Sequence, residues 1–241
     1  MCGRLAQYRR RIDYAAAVGF NTTTDDMPKK WNGGDGTAQY NIAPSRQLRV
    51  LHLLNKADGT YREDSDCIRW GYRPQWAADK KIPPASNARI ETAAQKPFWR
   101  HMVAHGRVIV PADCWYEWTG EKAHRLPWLI RRKDDAPAFM AAVTNFVPFK
   151  DQAHVEVGVA IMTKEAEGSL VDVHARMPII LAPDDARMWM NNDMPVEQAL
   201  ELARVSAVCA DMFEWFRVLE DVNNARNNSP LLINPLHGMP K

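Results

Sequence analysis

An α+β fold, with a mostly antiparallel, barrel-like sheet core and flanking helices, is what the sequence predicts, and three observations predict it. Short β-branched or aromatic runs separated by turn residues follow one another through the middle third of the chain. Strands outnumber helices and several are consecutive, unlike the alternating order of a doubly wound sheet. Two segments that open on proline close the chain, and proline suits a first helical turn because its missing N–H is not needed there.

The elements follow in order. Arg10 to Val18 has Ile12, Ala15, Ala16 and Val18 at roughly helical spacing and is predicted as a helix, whereas Asn21 to Gly36 is a polar loop. Gln47 to Leu54 and Tyr61 to Tyr72 flank Asp58-Gly59, a dipeptide that favours the positive φ of a tight turn, so a β-hairpin is expected. Arg107 to Val110, Trp115 to Trp118, Pro127 to Arg131, Ala138 to Phe146 and Val155 to Met162 read as the strands of a sheet. Pro183 to Asn191 and Pro195 to Arg204 read as the closing helices.

With 241 residues, 46% hydrophobic and 25% charged, the chain has the composition of a globular protein, not of a disordered, collagenous or coiled-coil one. No Gly/Ser or Pro-rich linker divides it, so one domain over residues 1–241 is expected. Its 31 Lys and Arg against 29 Asp and Glu leave a net charge of +2, which excludes binding nucleic acid by overall charge; any such contact must be local. The cysteines at 2, 67, 114 and 209 form no CxxC pair, which argues against a zinc site or a disulfide framework and fits a reducing cytoplasm. No metal and no cofactor are expected. The apolar runs are too short to span a bilayer, and the N-terminus lacks the apolar stretch of a signal peptide, so no membrane association is expected.

The chain begins Met1-Cys2-Gly3-Arg4, and a small second residue is the circumstance in which an initiator methionine is normally removed. Cys2 would then carry an α-amine of pKa about 7.7 to 8.0 beside a thiol of pKa about 8.5. This 1,2-aminothiol can condense with an aldehyde to a Schiff base and close on the imine carbon to a five-membered thiazolidine. An internal cysteine cannot do this, because its amine is an amide.

Glu117 lies in Cys114-Trp115-Tyr116-Glu117-Trp118, where strand alternation puts it on the face of Trp115, with Tyr116 and Trp118 opposite. Desolvation among aromatics would raise its pKa toward neutrality, as a proton carrier requires; pairing with an arginine is the competing role. His174 precedes an apolar strand and titrates in the useful range, or is structural. Asn87 and Arg89 follow Pro83 and Pro84 on a stiff loop that can hold an anion, the competing role being to cap a helix beginning near Glu91. Trp70 to Trp76 interleaves aromatics with Arg73, a mixture suited to unpaired bases and phosphates and equally to a buried core.

These segments resemble the SRAP family, the SOS response-associated peptidase or abasic-site processing proteins. The resemblance is carried, in the family's order, by Met1 to Arg4, Tyr40 to Pro44, Trp70-Gly71-Tyr72 with Pro74 and Trp76, and Ser86 to Thr92. It continues through Pro111-Ala112-Asp113, Tyr116-Glu117-Trp118, His174 to Pro178 and Val222 to Asn224. It implies that Cys2, freed of Met1, reacts with the ring-opened aldehyde of an abasic site in single-stranded DNA and forms a protective thiazolidine crosslink. It implies further that Asn87, Glu117 and His174 surround the reacting carbon, with Glu117 moving protons and His174 assisting ring opening or reversal. Arg4 and Arg89 would bind flanking phosphates, and Trp70, Trp76 and the loop from Asn41 to Pro44 would line the groove for the strand. Such a protein would be a monomer, cytoplasmic if bacterial, and nucleoid-associated when on DNA. Cys114 departs from the pattern, since relatives usually carry a small residue there. Two alternatives stand beside this reading: a cysteine peptidase or amidohydrolase in which Cys2 attacks a carbonyl, and a non-covalent single-strand binder.

Overall fold

A computed structural model describes residues 2–21, 37–54, 61–121, 124–148 and 156–236. The chain opens with β1 (Leu5–Gln7), α1 (Arg11–Ala17), β2 (Gln39–Ile42), β3 (Gln47–His52) and β4 (Asp64–Arg69). Then come α2 (Gln75–Asp79), β5 (Asn87–Arg89), α3 (Arg100–His105) and the central strands β6 (Arg107–Ala112), β7 (Cys114–Thr119), β8 (Leu126–Arg132), β9 (Ala138–Thr144) and β10 (Val159–Glu165). The remainder is β11 (Arg176–Pro178), β12 (Ile180–Leu181), α4 (Pro183–Met190), α5 (Val196–Val205) and β13 (Phe213–Arg217), with short 3-10 turns at Gly168–Asp172, Ala210–Met212, Glu220–Asn223 and Pro230–Ile233.

The strands form a five-stranded sheet in the order β13-β8-β7-β1-β2 and a larger sheet in the order β11-β10-β9-β6-β3-β4, with β12 on β9 and β5 on β10. Their pairings are antiparallel except that β5 runs parallel to β10. Period-two alternation decides the layering. On β6, Val108 and Val110 point into a core between the two sheets, where they meet Cys2, Leu5, Trp115 and Ile130. Ile109 points the other way, into a second core roofed by Trp189 and Met190 of α4, Ala199 and Leu200 of α5 and Met102 of α3. A third core covers the outer face of the small sheet, where Ala6, Tyr116 and Leu129 pack under Val218, Val222 and Leu232. The fold is therefore the expected α+β one, in three layers.

The expected hairpin is present as β3 against β4, in register from Gln47↔Arg69 to His52↔Asp64; its Asp58-Gly59 turn and the loop over 22–36 lie outside the described residues. Pro183 takes the first position of α4, whereas Pro195 stands one residue before α5. No helix begins near Glu91. Residues 90–99 are turns and α3 starts only at Arg100, because Pro97 disfavours helical backbone at the residue before it. Asn87 accordingly caps nothing and lies in β5.

Candidate active site

Cys2 is placed by β1. Leu5 and Ala6 pair with Trp115 and Cys114 of β7, and the Tyr116 N–H donates to the Arg4 carbonyl at 2.9 Å, which carries the ladder toward the terminus and brings Gly3 level with Glu117. The far end of β1 is held by the buried Asp113. Its carboxylate accepts the N–H groups of Tyr8 (2.6 Å) and Arg9 (3.3 Å) and the Tyr14 hydroxyl on Oδ2, and its Oδ1 pairs in charge with the Arg9 guanidinium at 2.9 Å. Three residues of strand, too few to be stable alone, are thus fixed at both ends.

Cys2 is fully buried. Burial pushes its thiol pKa far up, and the charge of Glu117 pushes in the same direction, so the sulfur is a protonated thiol at neutral pH. Asn87, set by the parallel pairing of β5 with Ile161 of β10, donates from Nδ2 to the Cys2 carbonyl at 2.9 Å. Its Oδ1 is buried with no hydrogen-bond partner among the described residues, leaving an acceptor at the site.

Glu117 shares the inner face of β7 with Trp115 and is 3% exposed. Burial raises its pKa to about 7, so near neutrality it exists as both acid and base. His174 follows the turn at Gly168–Asp172 and its N–H donates to the Leu170 carbonyl at 3.0 Å. The ring Nδ1 lies 2.9 Å from the Arg176 N–H and 3.1 Å from the Arg176 carbonyl. A backbone N–H can only donate, so the closer contact makes Nδ1 the acceptor and assigns the proton to Nε2. That Nε2 lies 4.0 Å from Glu117 Oε2. Burial lowers the His174 pKa, so the ring faces Glu117 as a neutral imidazole at neutral pH.

The structure therefore brings Cys2, Asn87, Glu117 and His174 together. Arg4 joins them as a brace: its Nη1 donates to Asn41 Oδ1 (2.6 Å) and to the Val222 carbonyl (2.7 Å), and its guanidinium lies 5.6 Å from the Trp118 ring centroid. Asn41 is buried and donates on to the carbonyls of Val222, Asn224 and Asn227. Pro44 and Arg89 are exposed, as is Trp76, which packs edge-on against Phe98. Trp70 departs from the expectation of a groove-lining ring. It is fully enclosed in the core between the sheets and donates from Nε1 to the Ser86 carbonyl at 2.9 Å, so it offers no face to a base.

Two contributors escaped the sequence reading. Trp118, on the face opposite Glu117, supports Arg4 and donates from Nε1 to Asn223 Oδ1 at 2.6 Å. Arg176 grips Glu91 through two bonds of 2.8 and 3.0 Å and the Thr163 carbonyl at 2.8 Å, anchoring the strand after His174. Both stand inside motifs quoted above, and that membership was the available signal. All four cysteines are free, and the described residues contain no group of three or more His, Cys, Asp or Glu able to hold a metal. No helix among them is long and apolar enough to cross a membrane.

Comparison with known proteins gives the family. The abasic site processing protein YedK of Escherichia coli (strain K12) is 38% identical over 236 residues, covering 98% of this chain and 100% of the relative. The abasic site processing protein HMCES of Xenopus tropicalis is 26% identical over 262 residues, covering 95% and 77%. Among solved structures, a phage-related protein of Bordetella bronchiseptica matches with a TM-score of 0.74 at 31% identity, over 91% of this chain and 95% of that one. The family model for SOS response associated peptidase (SRAP) matches residues 1–225, and the chain belongs to the SRAP family.

Proposed function

We propose that this protein captures abasic sites in single-stranded DNA covalently, through the α-amine and thiol of Cys2 once Met1 is removed. The observation that carries the reading is the convergence of three chemically suited groups on one cysteine at the chain's start: Asn87 on its carbonyl, Glu117 poised at about neutral pKa, and a neutral His174. The names of the relatives supply the lesion.

The steps follow from the protonation states. The Cys2 amine attacks the aldehyde carbon of the opened sugar, and Glu117 carries the two protons that nitrogen gives up to the aldehyde oxygen in turn. The first makes the carbinolamine hydroxyl, the second makes that hydroxyl leave as water, and an imine remains. The thiol then adds across the C=N bond: sulfur bonds to carbon, and the S–H proton ends on nitrogen. The balance is protein plus DNA minus one water. Because burial keeps the sulfur protonated, the amine reacts first. The same burial disfavours a peptidase that would start from thiolate attack. The Nε2–H of His174 serves the sugar oxygen as the ring opens, and Arg89 and the loop at Pro44 supply contacts to the strand.

Intact mass spectrometry of protein mixed with single-stranded DNA carrying one abasic site tests this. The expected adduct has the mass of protein lacking Met1 plus DNA minus water, absent for Cys2→Ala and for undamaged DNA. Processed wild-type protein that yields no adduct would overturn the proposal in favour of peptide cleavage or simple strand binding.

A further inference from the structure

Next to the Arg4–Asn41 contact lies a pocket of about 280 Å³ that the chemistry above leaves unused. Asn41 forms a wall common to both: it accepts from Arg4 and also lines this pocket, with Gln39, Ser45, Arg46, Arg49 and Arg226 among the other lining residues. None of the lining residues is acidic. In a chain of nearly balanced charge, three guanidinium groups around one concavity with no carboxylate make a local positive field.

The three arginines are not equivalent. Arg49 is buried and turned toward the carbonyls of Arg9 and Thr37, so it is a fixed part of the wall. Arg46 and Arg226 are exposed, and neither guanidinium makes a hydrogen bond or ion pair among the described residues. Their planar forks match a phosphate. Between them and Pro44, Ser45 holds a φ of 74°, a left-handed conformation that costs a non-glycine residue energy, secured by its N–H on the Trp70 carbonyl at 2.7 Å. A strained corner therefore fixes the backbone just before Arg46 in the pocket wall.

We propose that this pocket binds a backbone phosphate of the single strand whose lesion reaches Cys2, beyond the Arg4–Asn41 contact that the pocket adjoins. The proposal rests on the function proposed above and adds a second anchoring point to it. Free phosphate offers the same chemistry, so the test separates the two sources.

The variant is Arg46→Ala/Arg226→Ala, with Arg46→Lys/Arg226→Lys beside it; both positions are exposed, so the melting temperature should hold. Binding of undamaged oligothymidylate is measured by fluorescence anisotropy over a salt series. Each phosphate that is no longer neutralised lowers the slope of log K against log salt by about 0.7 for a single strand, so the alanine variant, which gives up one phosphate, should lose about 0.7 and the lysine variant should regain most of it. An unchanged slope would overturn the proposal. So would inorganic phosphate raising the melting temperature of wild type, but not of the alanine variant, while the slopes coincide, because the pocket would then take a free anion only. Adduct formation by wild type on abasic DNA is read in parallel. A lowered slope without any wild-type adduct would uphold the pocket and sink the crosslinking reading, whereas an adduct with equal slopes would do the reverse.

Discussion

Glu117 carries a pH signature that can be read at the scale of one residue. Its folded pKa of about 7 stands above the ordinary 4.5, so below about pH 4.5 both the folded and unfolded chains hold the proton and nothing is lost. As pH rises to 7 the unfolded chain releases it first, and stability falls, by about 3 kcal/mol once pH exceeds 7. Glu117→Gln removes that slope: urea unfolding at about pH 5 and about pH 8 should show the variant gaining relative to wild type at the higher pH while adduct formation is lost. Equal gains at both values would mean that Glu117 is ionised throughout. Asn87→Ala removes the bond to the Cys2 carbonyl and with it the aim of the nucleophile, so the rate of adduct formation should fall about 10- to 100-fold in single-turnover kinetics, with only a small drop in stability. Glu117 and its face of the strand could be read from alternation alone, because burial among aromatics is a local property. The enclosure of Trp70 and the engagement of Arg4 by Asn41 and Val222 could not, since the partners of Arg4 lie 37 and 218 positions away.

The elements that were hardest to read are the ones that build the site. β1, β5 and β11 have three residues each, too short for a periodicity to register, and their places are set by pairing with β7 and β10. The long strands β6 to β10 and the helices α1, α4 and α5 carried enough alternation or helical spacing, with proline at the starts of the last two, to be placed within a few residues. Dependence of the short elements on single anchors is testable. Asp113→Ala strips β1 and the segment after it of their carboxylate partner and leaves buried donors unsatisfied, so it should cost about 3 to 5 kcal/mol in chemical unfolding. Gly158 shows the opposite constraint: a Cβ there would stand 2.1 Å from the Gly71 carbonyl oxygen, where the segment around Trp70 bridges to β10. Gly158→Ala should therefore destabilise by about 1 to 3 kcal/mol or more, seen as a lower urea midpoint; a neutral outcome would mean that the segment shifts freely.

Across the whole molecule, three layers leave the small sheet with an outer face of its own, and the end of the described chain is what covers it. Leu232, past the last residue matched by the family model, is buried against Ala6, Tyr116, Val218 and Val222. Asn228 accepts the Tyr40 N–H at 2.7 Å, and the Asn227 carbonyl accepts from Asn41. A chain ending at residue 225 should therefore lose about 1.5 to 3 kcal/mol from Leu232 alone and loosen β2, observable as a lower melting temperature and faster amide exchange over Gln39–Ile42. Alternation made the layer order legible, but the cover over the small sheet was not, because Pro230–Ile233 is a short 3-10 turn without a repeating pattern. The span between the first strand and its partners also sets an order in time. Cys2 is made before Asn87, Glu117, His174 and the Val222 carbonyl that holds Arg4, the last of which follows it by about 10 to 45 s at ordinary elongation rates. For that interval β1 has no completed sheet to join, so residue 2 stays open to solvent and to processing enzymes while translation is still running, and it reaches its buried position only after its partners have been made.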